Sequence, residues 1–136
     1  MKSWGDRYLL DILKIDEQHR GFFELLDEEL LKTKVLNQEH TLKLINKLEE
    51  YLKDHFVAEE ELLVNANYPD IKKHKEQHLF FIQKVEEMKL ELLYNNQIIN
   101  IKLIDFMKKW FLAHILHFDK QYQETVKSYL ETKTDE

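Results

Sequence analysis

Cysteine is absent from this chain, proline occurs once and glycine only twice. Without thiols there is no disulfide, no thiolate metal site and no cysteine nucleophile. With Gly5, Gly21 and Pro69 as the only strong breakers, regular structure can run long without interruption. Long apolar runs are also missing. The N-terminal stretch MKSWGDRYLLDILKID is broken by Asp6, Arg7 and Asp11, so it reads as neither a signal peptide nor a membrane span. Nor is there an excess of positive charge. Twenty Lys and Arg against 26 Asp and Glu leave a net charge of −6, which argues against nucleic acid or an anionic membrane as the partner. A cytoplasmic location is the expectation.

What remains is a mixture of 43% hydrophobic and 34% charged residues, rich in Leu, Lys and Glu. Such a chain is expected to be all-α. Its 136 residues have room for one domain. Apolar residues recur at steps of three and four through four segments, with helices predicted at about 12–36, 38–64, 69–94 and 97–130. Polar breaks separate them at Asn37-Gln38-Glu39-His40, at Asn65-Ala66-Asn67-Tyr68 and at Asn95-Asn96. Pro69 suits the first turn of the third helix, where its missing N–H costs nothing. Short connections favour antiparallel neighbours, hence an up-down-up-down four-helix bundle. Residues 1–11, with Trp4, are expected to form an N-terminal arm packed on it.

The stripes predicted to face the core carry unexpected residues. In the first helix the stripe reads Ile15, His19, Phe22, Leu26, and in the second Thr41, Ile45, Leu48, Leu52, His55, Glu59, Leu62. In the third it reads Ile71, His74, His78, Phe81, Val85, Met88, Leu92, and in the fourth Ile104, Met107, Phe111, His114, Phe118. Five imidazoles and a carboxylate thus occupy slots that helical periodicity assigns to the interior. A lone core histidine is more often a hydrogen-bonded packing residue than a ligand. Taken together, six unpartnered polar groups would each cost roughly 2–7 kcal/mol. A domain whose whole stability is about 5–15 kcal/mol cannot carry that load. A metal centre supplies the missing partners, with ligands from all four helices.

Spacing adds detail. His55 and Glu59 stand at i, i+4, as do His74 and His78, so each pair projects from one helix face. Sulfur-free, nitrogen-rich donors suit iron, zinc or copper better than calcium or magnesium. One tetrahedral zinc would use only four of the candidates. With Asp119, which lies five residues after His114 and off the strict stripe, they number seven, so two metals are indicated.

The runs Ile15-Asp16-Glu17-Gln18-His19, His55-Phe56-Val57-Ala58-Glu59-Glu60, His74-Lys75-Glu76-Gln77-His78 and His114-Ile115-Leu116-His117-Phe118-Asp119 resemble the hemerythrin family in its bacterial single-domain form. The likeness spans almost the whole chain, from Trp4 to the fourth helix. It implies a non-haem, oxygen-bridged pair of iron ions. His74, His78 and His114 would bind one iron, His19 and His55 the other, and Glu59 and Asp119 would bridge them. Imidazoles, bridging carboxylates and a solvent-derived bridge would fill about eleven of roughly twelve positions of two octahedral ions. The open position, on the iron with two histidines, would take dioxygen as its ligand.

The resemblance implies reversible dioxygen binding for storage, transport or scavenging rather than catalysis. The alternatives are a di-iron enzyme consuming peroxide or nitric oxide, or an oxygen- or iron-sensing module. Phe22, Phe56, Trp110, Phe111 and Ile115 flank the expected ligands and are candidates for an apolar oxygen pocket that excludes water. Tyr122, one turn after Asp119, is a candidate hydrogen-bond partner for the ligand set. Glu60 reads as a surface charge and His40 as a solvated loop residue. His117 also falls on an acceptable stripe with Trp110, and only the family likeness selects His114 over it.

Overall fold

The computed structural model describes residues 5–32, 38–95 and 97–134. A 3-10 turn, Asp6–Tyr8, precedes helices α1 (Leu13–Lys32), α2 (Gln38–Asn65), α3 (Ile71–Asn95) and α4 (Gln97–His114). A π turn, Ile115–Asp119, then joins α4 to α5 (Lys120–Thr134). Residues His114 and Lys120 on either side of that turn keep right-handed helical dihedrals, so α4, the π turn and α5 form one continuous fourth rod. The architecture is the expected up-down-up-down four-helix bundle, with no strand among the described residues.

The local reasons are legible at the ends of the helices. Helix α2 stops in a paired motif in which Tyr68 N–H donates to the Leu63 carbonyl at 3.0 Å and Asn67 N–H to that of Val64 at 3.1 Å. The pattern needs a left-handed residue, and Asn67 supplies it with φ 57°. Leu63 and Tyr68, the residues that such a cap brings together, are both buried in the same apolar cluster. Pro69 falls in the turn that follows rather than inside α3, because Ile71 N–H bonds back to Tyr68 at 3.3 Å before the regular ladder begins. Gln38, Glu39 and His40, expected in a break, form the first turn of α2. Asn37, Asn96 and the segment beyond Lys32 lie outside the described residues, as does Trp4.

The arm is fastened by named contacts. Asp16 accepts from the N–H groups of Leu10 at 2.8 Å and Ile12 at 3.2 Å, satisfying donors at the start of α1. Asp11, between them, adopts φ 62°, a conformation Asp tolerates better than most residues. Gln123 of α5 donates to the Leu10 carbonyl at 2.7 Å, and Leu10 itself is fully buried.

The apolar interior falls into two clusters. The larger runs from Phe22 and Leu26 through Leu48 and Phe56 to Phe81 and Phe111. The smaller gathers Leu10, Ile12, Ile15, Leu63, Tyr68, Tyr122 and Val126. In every helix the predicted polar residues sit between members of the two: His19 between Ile15 and Phe22, His55 and Glu59 between Leu52 and Leu63. His74 and His78 likewise lie between Tyr68 and Phe81, and His114 and Asp119 between Phe111 and Tyr122. A polar band is thereby sealed by apolar layers at both ends.

Candidate metal centre

Six of the seven residues singled out in sequence came from regular periodicity, and all seven are buried: His19, His55, Glu59, His74, His78, His114 and Asp119. They converge in two groups. One donor atom from each of Glu59, His74, His78 and His114 lies within 4.8 Å of the others, and so does one from each of His19, His55 and Glu59.

Asp119 joins the cluster through the π turn. In a regular helix, positions five apart diverge around the axis. The wider i→i+5 circuit brings His114 and Asp119 back to one side. Asp119 is therefore not off the face, as an unbroken 3.6-residue period implies. The same turn leaves His117 exposed and His114 buried, which separates the two candidates on structure alone.

The carboxylates divide their oxygens between the two groups. Glu59 Oε1 lies 2.6 Å from His74 Nε2 and 3.1 Å from His78 Nε2, while Oε2 lies 3.2 Å from His55 Nε2 and 3.8 Å from His19 Nε2. Asp119 Oδ1 lies 3.1 Å from both His74 and His114, and Oδ2 lies 3.1 Å from His19. Each carboxylate thus turns one oxygen to each group.

Such a cluster cannot be satisfied by its own hydrogens. His55 Nε2 and both oxygens of Asp119 are buried without a hydrogen-bond partner among the described residues, despite their short contacts. His78 Nε2 and His114 Nε2 face each other at 3.2 Å. Buried nitrogens and carboxylate oxygens converging at these distances, several of them without a hydrogen-bond partner among the described residues, fit cations placed between them, which would remove the cost of burying bare polar atoms.

The field of the site follows the same geometry. Burial opposes charge on every group in it. Around Glu59, the imidazoles of His55, His19 and His74 overcome that opposition and hold its carboxyl well below the usual range. Burial and the Glu59 charge push against ionised Asp119, but His114 and His19 hold its carboxyl well below the usual value. Against burial, Asp119 and Glu59 raise His19 to about 9 and His74 to about 10. His55 goes the other way, because burial outweighs its carboxylate neighbours.

The aromatic residues proposed as a single wall separate by end. Phe111 stands edge-on to His19 at 5.3 Å and to Phe22 at 5.0 Å, closing the two-imidazole group. Phe56 stacks on His78 at 3.9 Å and Trp110 on His114 at 4.7 Å, so both lie face-on against the three-imidazole group. Ile115 is fully buried in the larger apolar cluster.

Three supporting residues lie just outside. Tyr122 donates to Glu59 Oε2 at 3.0 Å, as its position suggested. Burial, then the charges of Glu59 and Asp119, push its hydroxyl well above its ordinary pKa. Glu60 is not a surface charge. Its side chain is 27% exposed and accepts from His78 Nδ1 at 2.8 Å. Gln18 accepts from His55 Nδ1 at 2.6 Å. Glu60 and Gln18 were hidden because each neighbours a core position, and a residue one step along a helix points to the flank. In a bundle the flank is the next helix.

A four-helix bundle holding a buried band of imidazoles and carboxylates belongs to the class of helical metal-binding proteins. The family model described as the hemerythrin HHE cation binding domain matches residues 11–126. A bacteriohemerythrin of Clostridium acetobutylicum is 36% identical over 127 residues, covering 90% of this chain and 98% of its own length. One from Stenotrophomonas maltophilia is 31% identical over 93% of this chain and 82% of its own, and a myohemerythrin of Theromyzon tessulatum is 25% identical over 89% and 90%. The chain belongs to the hemerythrin family, and its buried His and Glu cluster is a candidate metal site.

Proposed function

We propose that this protein binds dioxygen reversibly at a pair of non-haem iron ions, as a store, carrier or scavenger. The observation that carries the reading is the division of each carboxylate's oxygens between two imidazole groups of unequal size. His74, His78 and His114 would hold one iron, His19 and His55 the other, with Glu59 and Asp119 spanning both. When bound, such a pair would supply ferrous iron to which dioxygen can attach and from which it can leave.

The chain's own part is to orient and to exclude. Tyr122 fixes Glu59 by its hydrogen bond. Phe22 and Phe111 close the two-imidazole end with apolar edges, limiting the water and protons that would divert a reversible ligand into a reaction. No helix among the described residues is long and apolar enough to cross a membrane.

Iron analysis and optical absorption test the reading together. The expected result is two irons per chain and an optical change on exposure to air that reverses on deoxygenation through repeated cycles. Glu59→Ala should lose both irons, and His40→Ala, at an exposed position, should lose neither. One tightly held zinc that iron cannot replace would overturn the metal assignment. Irreversible change within one cycle, with turnover of added peroxide or nitric oxide, would overturn the carrier reading.

A further inference from the structure

One ring in each imidazole group has its outer nitrogen held by a side chain from the preceding helix, and the two holders differ in charge. At the three-imidazole end, His78 Nδ1 of α3 donates to the carboxylate of Glu60 on α2 at 2.8 Å. At the two-imidazole end, His55 Nδ1 of α2 donates to the amide oxygen of Gln18 on α1 at 2.6 Å. Both bonds put a hydrogen on Nδ1, so that in the neutral ring Nε2 is the nitrogen left to face the cluster with its lone pair. Their electronic effects are unequal. A carboxylate accepting from an imidazole N–H pushes electron density into the ring and makes the opposite nitrogen a better donor. A neutral amide fixes the ring with a weaker bond and no net charge.

We propose that Glu60 and Gln18 are positioning residues that grade the two ends of the site. Glu60 makes the His74–His78–His114 end the tighter, first-filled cation position, and Gln18 keeps the His19–His55 end weaker. The inference rests on the two-cation reading above. The number of imidazoles already favours the same end, so the contribution of Glu60 is the part of the difference that vanishes when its charge is removed. Both holders lie at the rim: Glu60 is 27% exposed, and Gln18 lines a recess of about 200 Å³ with Tyr51, Asp54 and His55. Exchanging carboxylate for amide there does not bury a new charge.

The test is a Co(II) titration of the full-length, metal-free chain against a competing chelator, followed by absorption, with helicity measured on every protein. Wild type should take two equivalents in two resolved steps. Glu60→Gln keeps an acceptor for His78 Nδ1 and should weaken the first step by about 10- to 100-fold while leaving the second in place. Gln18→Glu should tighten the second step and narrow the gap from the other side. The histidine ¹⁵N spectrum of metal-free Glu60→Gln should still report an Nδ1–H tautomer at His78, showing that charge rather than geometry was lost. An unchanged gap in both variants, or equal weakening of both steps by Glu60→Gln, would overturn the inference. A wild-type chain that saturates at one equivalent would overturn the two-cation reading itself, whatever the variants do.

Discussion

Replacing Gly21 by Ala would place a methyl group against the hydroxyl of Tyr51, closer than two non-bonded atoms can stand. That hydroxyl donates to the Gln18 carbonyl at 2.8 Å, and the Gln18 side chain in turn holds His55. Displacing it loses a hydrogen bond worth about 0.5–1.5 kcal/mol, and forcing a methyl into a filled space costs about 1–3 kcal/mol more. Against this, Ala is favoured over Gly inside a helix by about 1 kcal/mol. The net expectation is destabilisation by about 1–3 kcal/mol. Tyr51→Phe alone should cost about 1 kcal/mol for the same hydrogen bond. Once the hydroxyl is gone, the nearest ring carbon lies 3.4 Å from where the new methyl would sit, the near edge of ordinary contact. In the Phe background Gly21→Ala should therefore turn neutral or stabilising. The two substitutions should couple by about 2 kcal/mol, well beyond the roughly 0.3–0.5 kcal/mol seen between independent sites. Urea unfolding of the four proteins of this cycle, followed by helicity, gives the number. Additivity within half a kcal/mol (about the error of such cycles), or a stabilised Gly21→Ala single variant, would refute the reasoning.

Metal uptake near pH 7.5 should release about two protons per chain, since His19 and His74, raised to about 9 and about 10 in the metal-free site, must be neutral to bind. A weakly buffered indicator titration with Zn(II) measures this, and release of less than half a proton would show that the carboxylates do not hold those imidazoles charged. In the metal-free chain the same two groups contribute stability that is full below about pH 6.5 and is lost as pH rises through their raised values. Glu59 and Asp119, held low, contribute above the ordinary carboxylate range and lose it on acidification. Denaturant midpoints should therefore peak between the two limits, and a monotonic profile would contradict the pairing. Tyr122→Phe strips a buried carboxylate of its donor and should cost the metal-free protein about 1–3 kcal/mol by urea unfolding; a loss below half a kcal/mol, about the error of the measurement, would mean the hydrogen bond is not made. Ile115→Glu, introducing an acid at a fully buried apolar position, should leave iron content intact and shorten the number of reversible air cycles.

How much of this was visible in the amino-acid order depended on whether the helix period stayed constant. His19, His55, Glu59, His74, His78 and His114 lie on stripes with uninterrupted 3.6-residue spacing, so their burial could be read without coordinates. Within α2 the stripe drifts by one position toward its end, and Leu63 rather than Leu62 is fully buried, because a straight helix does not keep pace with a fixed pattern of threes and fours. Asp119 was legible only through the family likeness, since nothing in Ile115-Leu116-His117-Phe118 announces a widened turn. Pro69 pointed correctly to the α2–α3 junction but not to its geometry, which the left-handed Asn67 decides. Gln18 and Glu60 escaped for a different reason. Their roles depend on which helix lies alongside, and that is a property of the assembled bundle.

The π turn at Ile115–Asp119 also splices two registers into one rod. Upstream of it, inward positions follow one count; downstream, the count is displaced by a residue, and the orientation of all fifteen residues of α5 is inherited from that displacement. Tyr122 meets Glu59, Val126 meets the smaller core and Gln123 reaches the arm only because the slip occurs ahead of them. Length is therefore a more sensitive variable here than composition. Removing a single residue from the turn would swing Tyr122, Val126 and Gln123 together by about 100°, unfastening the arm and withdrawing a site donor in one event. The same deletion at Glu131 would re-index, among the described residues, little beyond the exposed Thr132 and Lys133.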